Sequence, residues 1–300
     1  MSNQLKADLM LLLVVLAWGF SFLMLDMSAE VMGPFTLNSW RFLVAFAVAA
    51  LVAGRRLRGV SRPTLKYSLI LGGIMISLFT ALTFGVRNTV LQNTGFLCGL
   101  TVLFTPILSA LVYRKPPERK LWLVVVACMI GIALLTLTES FSINHENLLG
   151  DALCVLTAFL YAIHLLVTEK AVRTEGVNAF QLGVLQLGVT GACSLLLALS
   201  LEDIAAPPTP KIWAAVLFLA VACTAMAFII QTVAQKYTTA SHVGVICCLE
   251  TVFAGIVAYV FGGSVFTPKE VAGAALIVVA VFVMEVDVGA IFRKKSRGEA

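Results

Sequence analysis

Three hundred residues carry 60% hydrophobic and only 12% charged side chains, with a mean hydropathy of +0.99 and a formal net charge of +5. A soluble domain carries about 25% charged residues; a chain this poor in charge cannot cover itself in water, but in lipid its outside is free to be as apolar as its inside. A soluble globular domain is thereby excluded, and the polar stretches (Arg55 to Lys66, Arg114 to Lys120, Glu139 to Asp151, Glu169 to Asn178, Glu202 to Lys211 and a basic tail from Arg293) are too short to hide one.

Along the chain, the first apolar run, Leu9 to Leu25, follows Lys6 and shows no clear small-residue cleavage site. It reads as a retained helix rather than a removed signal, because further apolar runs follow it. A spanning helix needs about 20 mostly apolar residues. On that measure spans fall near 8–27, 34–54, 67–88, 94–113, 121–138, 150–168, 178–200, 212–234, 240–262 and 269–289. Only Thr89 to Asn93 separates the third from the fourth. The expectation is an all-α polytopic membrane protein of ten transmembrane helices.

With the N-terminus placed in the cytoplasm, 17 of the 21 Lys and Arg fall on the cytoplasmic side, the last four of them being Arg293, Lys294, Lys295 and Arg297. Arg87, Lys211 and Lys269 lie on the other side, and Arg41 lies inside the second span. The positive-inside rule then puts both termini in the cytoplasm. The basic excess is topological and calls for no nucleic acid. The seven cysteines stand in apolar runs without metal-ligand spacing to histidine and read as small buried apolar residues.

The chain repeats itself. A shift of 143 residues lays the first span on the sixth, pairing Asp8 with Asp151, Trp18 with Tyr161, Ser21 with His164 and Asp26 with Glu169. Near the fourth and ninth spans the offset is about 145, pairing Thr94 with Thr239. Two five-helix repeats follow, 1–140 and 141–300, the second ending in the basic cytoplasmic tail. Five is odd, so the second repeat enters the membrane inverted, an architecture recurrent among secondary transporters whose substrate site lies between the halves.

The stretches Leu16 to Phe22 (LAWGFSF) and Thr94 to Pro106 (TGFLCGLTVLFTP) in the first half, and Gln231 to Lys236, Leu249 to Ala254 (LETVFA) and Phe261-Gly262-Gly263 in the second, resemble the EamA repeat of the drug/metabolite transporter superfamily. The resemblance implies ten helices, an inverted repeat and transport of metabolites, with the first, third, fourth, sixth, eighth and ninth spans around a central cavity. It implies no particular substrate. Where such proteins commonly have Leu-Glu-Pro, this chain has Thr251 after Glu250, which puts a kink in the ninth span in doubt. Where they end that span in Gly-Glu, it has Gly263-Ser264.

Candidate site residues are polar groups in those spans. Glu250 sits near the middle of the ninth, where insertion of an acidic residue costs about 2.5–3.5 kcal/mol. It serves as a substrate or proton site, or as a neutral carboxyl bonded to a neighbouring helix. Thr157, Tyr161, His164 and Thr168 share one face of the sixth span. His164 either titrates near neutrality or makes one interhelical hydrogen bond. Trp18 and Ser21 on the first span, Thr80 and Thr83 on the third, Thr101 and Thr105 on the fourth and Gln231 on the eighth complete the candidate cavity lining. Gly244, Cys248, Thr251, Gly255, Ala258 and Gly262 form a small-residue ridge on the ninth. Arg41, about 10 Å from the end of its span by helical rise, is expected to snorkel to the headgroups, and Arg87 at the outer end of the third span is either an entrance charge or ordinary topology.

No His-Glu-x-x-His, Gly-x-Gly-Asp or phosphate-binding glycine loop occurs, and His145 and His242 lie outside the core of the spans. An intramembrane enzyme and a passive channel are the rival readings. The expected function is secondary transport of a small organic metabolite, such as an amino acid, nucleobase or amine, by alternating access. The setting is the inner membrane of a prokaryote, with no cofactor or metal, as a monomer or homodimer. The mixed aromatic, hydroxyl and amide face with one acidic group favours zwitterionic, neutral or weakly cationic cargo over phosphates.

Overall fold

The computed structural model describes residues 3–137, 147–262 and 267–285. The basic tail, His145, the Gly263-Ser264 step and the end of the expected tenth span lie outside them. All regular elements among the described residues are helical. In chain order they are α1 (Asn3–Gly19), α2 (Ser21–Ala29), α3 (Pro34–Ala53), α4 (Arg62–Arg87), α5 (Leu91–Gly99), α6 (Thr101–Tyr113) and α7 (Arg119–Thr136). After these come α8 (Leu148–Val172), α9 (Ala179–Leu201), α10 (Pro210–Ala220), α11 (Ala227–Ala234), α12 (Ala240–Cys247), α13 (Leu249–Gly262) and α14 (Pro268–Glu285). A π-helical segment, Val221–Met226, joins α10 to α11.

Nine helical runs among the described residues are long and apolar enough to cross a membrane: Asn3–Ala29, Pro34–Leu57, Arg62–Arg87, Asn93–Tyr113, Arg119–Thr136, Leu148–Val172, Ala179–Leu201, Pro210–Ala234 and Ala240–Val257. The outer surface matches a lipid solvent, with Leu51 82%, Val52 81% and Leu123 74% exposed. So much exposed apolar surface would be an aggregation liability in water. The chain is an integral membrane protein.

Helix starts follow from local chemistry. Ser61 accepts from Thr64 N at 3.2 Å, Thr209 from Ile212 N at 3.3 Å, and Thr239 from His242 N at 3.3 Å. Asn178 accepts from both Phe180 N and Gln181 N. Each satisfies a donor that the first helical turn leaves unpaired. Prolines stand in the first turns of α3, α4 and α10, where the missing N–H costs nothing. Glu202 caps α3 from a distance in sequence, accepting from Phe35 N at 3.0 Å and Thr36 N at 2.8 Å.

The helices pack α4 against α8 and α9, α3 against α9, and α1 against α11 and α13, while α7 and α14 form a pair of their own. That pair meets at two glycines: a Cβ on Gly273 would stand 2.7 Å from the Gly131 carbonyl oxygen. Such small residues let helices approach where lipid gives no hydrophobic drive to associate.

Four apolar runs are interrupted near their middles. The breaks fall at Phe20 between α1 and α2, at Leu100 between α5 and α6, in the π segment, and at Cys248 between α12 and α13. The last corrects the expectation from Thr251. The ninth span breaks without a proline, because Cys248 N bonds Val245 O and Thr251 N bonds Cys248 O, tightening the turn to three-residue spacing. Irregular backbone at such depth is tolerated where it is buried in protein or lines a cavity.

A central cavity held by four interrupted helices

The breaks surround one cavity of about 110 Å³. Its wall comes from α1, α2, α4, α5, α6, α8, α11, α12 and α13, with Arg41 reaching in from α3. These are the six spans that the sequence nominates, plus the second.

The π segment organises one side. Trp18 Nε1 donates to the Cys223 carbonyl at 2.8 Å, and Cys223 Sγ lies 3.3 Å from the Ala17 carbonyl, tying α1 to the segment in both directions. The next residue, Thr224, accepts from Arg41 Nε at 2.6 Å. One irregular turn therefore aims both an indole and a guanidinium at the cavity. Such π turns recur at functional sites.

Aromatic rings form a continuous wall. Trp18 packs on Tyr161 and Phe228 with centroids 5.9 and 5.5 Å apart, and Phe228 on Phe79 at 5.8 Å. The Arg41 guanidinium carbon stands 4.7 Å from the Phe79 ring centroid, a cation–π contact. Glu250, in the first turn of α13, lines the cavity with Thr251, Cys247 and Gly244.

Five of the nominated residues meet at this cavity: Trp18, Ser21, Thr101, Tyr161 and Glu250. The other five lie elsewhere. His164 is fully buried behind the wall, where its Nε2 meets Gln186 Oε1 at 3.1 Å while its ring stacks on Tyr161. Gln231 is also fully buried and supports the wall from behind, its Oε1 accepting from Tyr161 Oη at 2.9 Å. Thr83 bonds the Phe79 carbonyl and receives Asn38 Nδ2, and Thr105 bonds the Thr101 carbonyl, so both serve helix contacts. Thr80 opens on a separate apolar groove with Phe35, Phe84 and Leu197. Residues three or four apart share a helix face, but one face crosses both cavity and helix–helix contact at different depths.

Arg41 is the residue that sequence reasoning misplaced. It is 3% exposed and turned inward, not snorkelled to the headgroups. The available signal was its neighbourhood, since Asn38 and Ser39 also put polar groups on that stretch of an apolar helix.

The cavity reaches toward the end of the bundle that carries Leu25, Leu82 and Gly95. The other end is laced by side-chain contacts among the described residues. There Glu169 Oε2 accepts from Ala240 N at 2.7 Å and its Oε1 pairs with Arg173 at 2.9 Å. His242 Nε2 lies 3.1 Å from Asp8 Oδ1, and Gln4 bridges to Asp8 and Thr238.

The profile of the EamA-like transporter family matches residues 5–137 and 148–286. The chain belongs to the EamA-like transporter family. This transporter is 28% identical over 291 residues to a protein of Archaeoglobus fulgidus named an uncharacterized transporter, covering 95% of this chain and 88% of the relative. A second uncharacterized transporter of the same organism is 26% identical over 267 residues, covering 85% of this chain and 88% of its own. A solved crystal structure superposes with a TM-score of 0.78 over 93% of this chain and 96% of that one, at 18% identity. At that identity the likeness speaks for the fold alone.

Proposed function

We propose that this membrane transporter is a secondary carrier that moves a small organic metabolite, such as an amino acid, nucleobase or amine, by alternating access. The observation that carries the reading is the composition of the cavity wall: α1 to α6 from one half of the chain and α8, α11, α12 and α13 from the other all contribute to it, and helical runs from both halves are interrupted beside it. Broken helices at the interface between repeats are what carriers use to bind cargo near the midplane. The cargo passes unchanged, and its binding residues are Trp18, Ser21, Thr101, Tyr161 and Glu250 together with Arg41. His164, Gln231, Thr83 and Thr105 hold the wall, and Thr80 belongs to the outer groove.

Ten spans arranged as inverted repeats, 1–140 and 141–300, complete the proposal, with α14 as the tenth. Paired contacts support it. Asp8 receives bonds from Gln4 and meets His242 beside α12, while its repeat partner Asp151 receives Thr89 Oγ1 at 2.6 Å and Asn93 Nδ2 at 3.0 Å beside α5. With both termini cytoplasmic, as the Lys and Arg bias favours, the end closed by Glu169 and Ala240 faces the cytoplasm. The arrangement described is then an outward-facing state in an inner membrane.

The test is counterflow in liposomes. Protein preloaded with a panel of amino acids, amines and nucleobases should show saturable uptake of the labelled solute, stimulated by the same solute inside and recovered chemically intact. Non-saturable flux indifferent to preloading would make it a pore, and chemical conversion of the solute would make it an enzyme.

A further inference from the structure

A second hollow, about 380 Å³ in volume, lies apart from the central cavity, between Phe35 of α3, Ile76, Thr80 and Phe84 of α4, Leu156 of α8 and Leu197 of α9. It arises from the path of α4. A Cβ on Gly72 would stand 2.5 Å from the Val189 side chain of α9, and one on Gly85 2.9 Å from Cys154 Sγ of α8. Pressed to α9 before this stretch and to α8 after it, α4 leaves a gap between the two contacts. Ser77 in that gap is exposed and Leu156 is 44% exposed, so the groove opens sideways to the bilayer.

From Ile76 to Phe84 the groove runs about 12 Å by helical rise, most of one leaflet's share of a hydrocarbon core about 30 Å thick. One turn past Phe84, Arg87 ends α4 on the same face. Its side chain is exposed and makes no hydrogen bond or ion pair among the described residues. Two acids on adjoining helix ends are already engaged, Asp151 by Thr89 and Asn93 and Glu202 by the first turn of α3. An apolar slot of leaflet depth therefore ends at an unpaired cation. Left unfilled, the slot's lining would forfeit its dispersion contacts. The guanidinium at its mouth matches phosphate oxygens two at a time.

We infer that the groove binds an anionic phospholipid, with one acyl chain laid along α4 between Phe35, Thr80 and Leu156 and the phosphate on Arg87. A zwitterionic phospholipid offers the same phosphate together with a cation of its own, which Arg87 repels. The site needs only membrane residence, whatever the central cavity carries. Its position nevertheless couples it to that cavity, because α4 and α8 are walls common to both. Leu78, Phe79 and Leu82 of α4 and Thr157 and Tyr161 of α8 line the cavity, while other residues of the same two helices line the groove. The bound chain packs behind the aromatic wall and resists any movement that closes the gap between α4, α8 and α9.

The experiment puts a fluorescent reporter in the groove with Phe84→Trp and reads its quenching by phospholipids brominated on the acyl chain. The protein is reconstituted in vesicles that mix phosphatidylglycerol with phosphatidylcholine, one or the other brominated. Quenching of the unaltered protein, which has four tryptophans of its own, is subtracted. Brominated phosphatidylglycerol should reach half its effect at about fivefold lower mole fraction than brominated phosphatidylcholine. Adding Arg87→Gln to the reporter protein should remove that difference. Equal quenching by both lipids would reduce the groove to ordinary bilayer contact, and quenching by neither would show it closed to lipid; each result overturns the proposal. Should Phe84→Trp fail to fold, Leu156→Trp on the groove's exposed edge replaces it. On the unaltered protein, native mass spectrometry should find phosphatidylglycerol retained in preference to phosphatidylcholine. Retention that persists undiminished in Arg87→Gln would overturn the placement of the phosphate.

Discussion

The Glu169 carboxylate accepts the backbone N–H of Ala240 at 2.7 Å, so the last turn of α8 is fastened to the first turn of α12 across 71 residues of sequence. The same carboxylate pairs with Arg173 on its own helix, and Glu169 is 3% exposed. An anion at a helix N-terminus is favourable because the first turn presents unpaired N–H groups and the positive end of the helix dipole. The bond closes one end of the bundle, and it is made from a side chain and a backbone group that each belong to a helix lining the cavity.

Glu169→Ala should therefore loosen that end. Losing an N-terminal acceptor of this kind costs about 0.5–2 kcal/mol. Hydrogen exchange at the amides of α12 should quicken, and the melting temperature in detergent should fall. Glu169→Gln, which retains an oxygen acceptor, should lie between the two. Unchanged exchange in α12 would show that the contact does not hold the end shut.

Trp18 makes the cavity observable. Its indole lines the wall and donates to the Cys223 carbonyl, whereas Trp40 bonds the Ala205 carbonyl and packs on Trp213, and neither of these lines the cavity. Binding of a transported solute should change the intrinsic fluorescence, and Trp18→Phe should abolish the change. The same substitution removes a hydrogen bond worth about 0.5–1.5 kcal/mol. A ligand response that survives in Trp18→Phe would move the site elsewhere.

His164 offers the opposite test. It touches Gln186, Tyr161 and Phe228 from behind the wall and does not line the cavity. His164→Asn should lower thermal stability by about 1–3 kcal/mol, the cost of leaving a buried partner unsatisfied, while the KM for cargo stays within about twofold. A large KM change with unaltered stability would place the imidazole in contact with cargo.

Gly273 tests packing away from the cavity. A Cβ there would meet the Gly131 carbonyl at 2.7 Å and the Leu134 Cβ at 2.8 Å. Backbone cannot yield as a flexible side chain does, so Gly273→Ala should force α14 from α7 and cost about 1–3 kcal/mol. Heat stability should drop, with KM unchanged in the protein that remains folded.

How much of this was legible in the residues differs by kind. Membrane residence and helix placement are local properties: about 20 apolar residues and a cap at the start suffice, whatever lies elsewhere in the chain. The first nine runs read from hydropathy accordingly lie within about five residues of the described spans, and the set of stretches in both halves, LAWGFSF and LETVFA among them, carried the family resemblance. Which polar side chains share a cavity is not local. Thr157, Tyr161 and His164 follow one helical face, yet the first two line the cavity while His164 lies behind it, because the depth at which α8 meets its neighbours is decided by those neighbours. Arg41 shows this most plainly. Alone on an apolar helix, a guanidinium reads as a group that escapes to the headgroups. Only the tertiary fold, with Thr224 Oγ1 of a π turn 183 residues later at 2.6 Å and the Phe79 ring of α4 against the guanidinium, turns that group inward to the cavity.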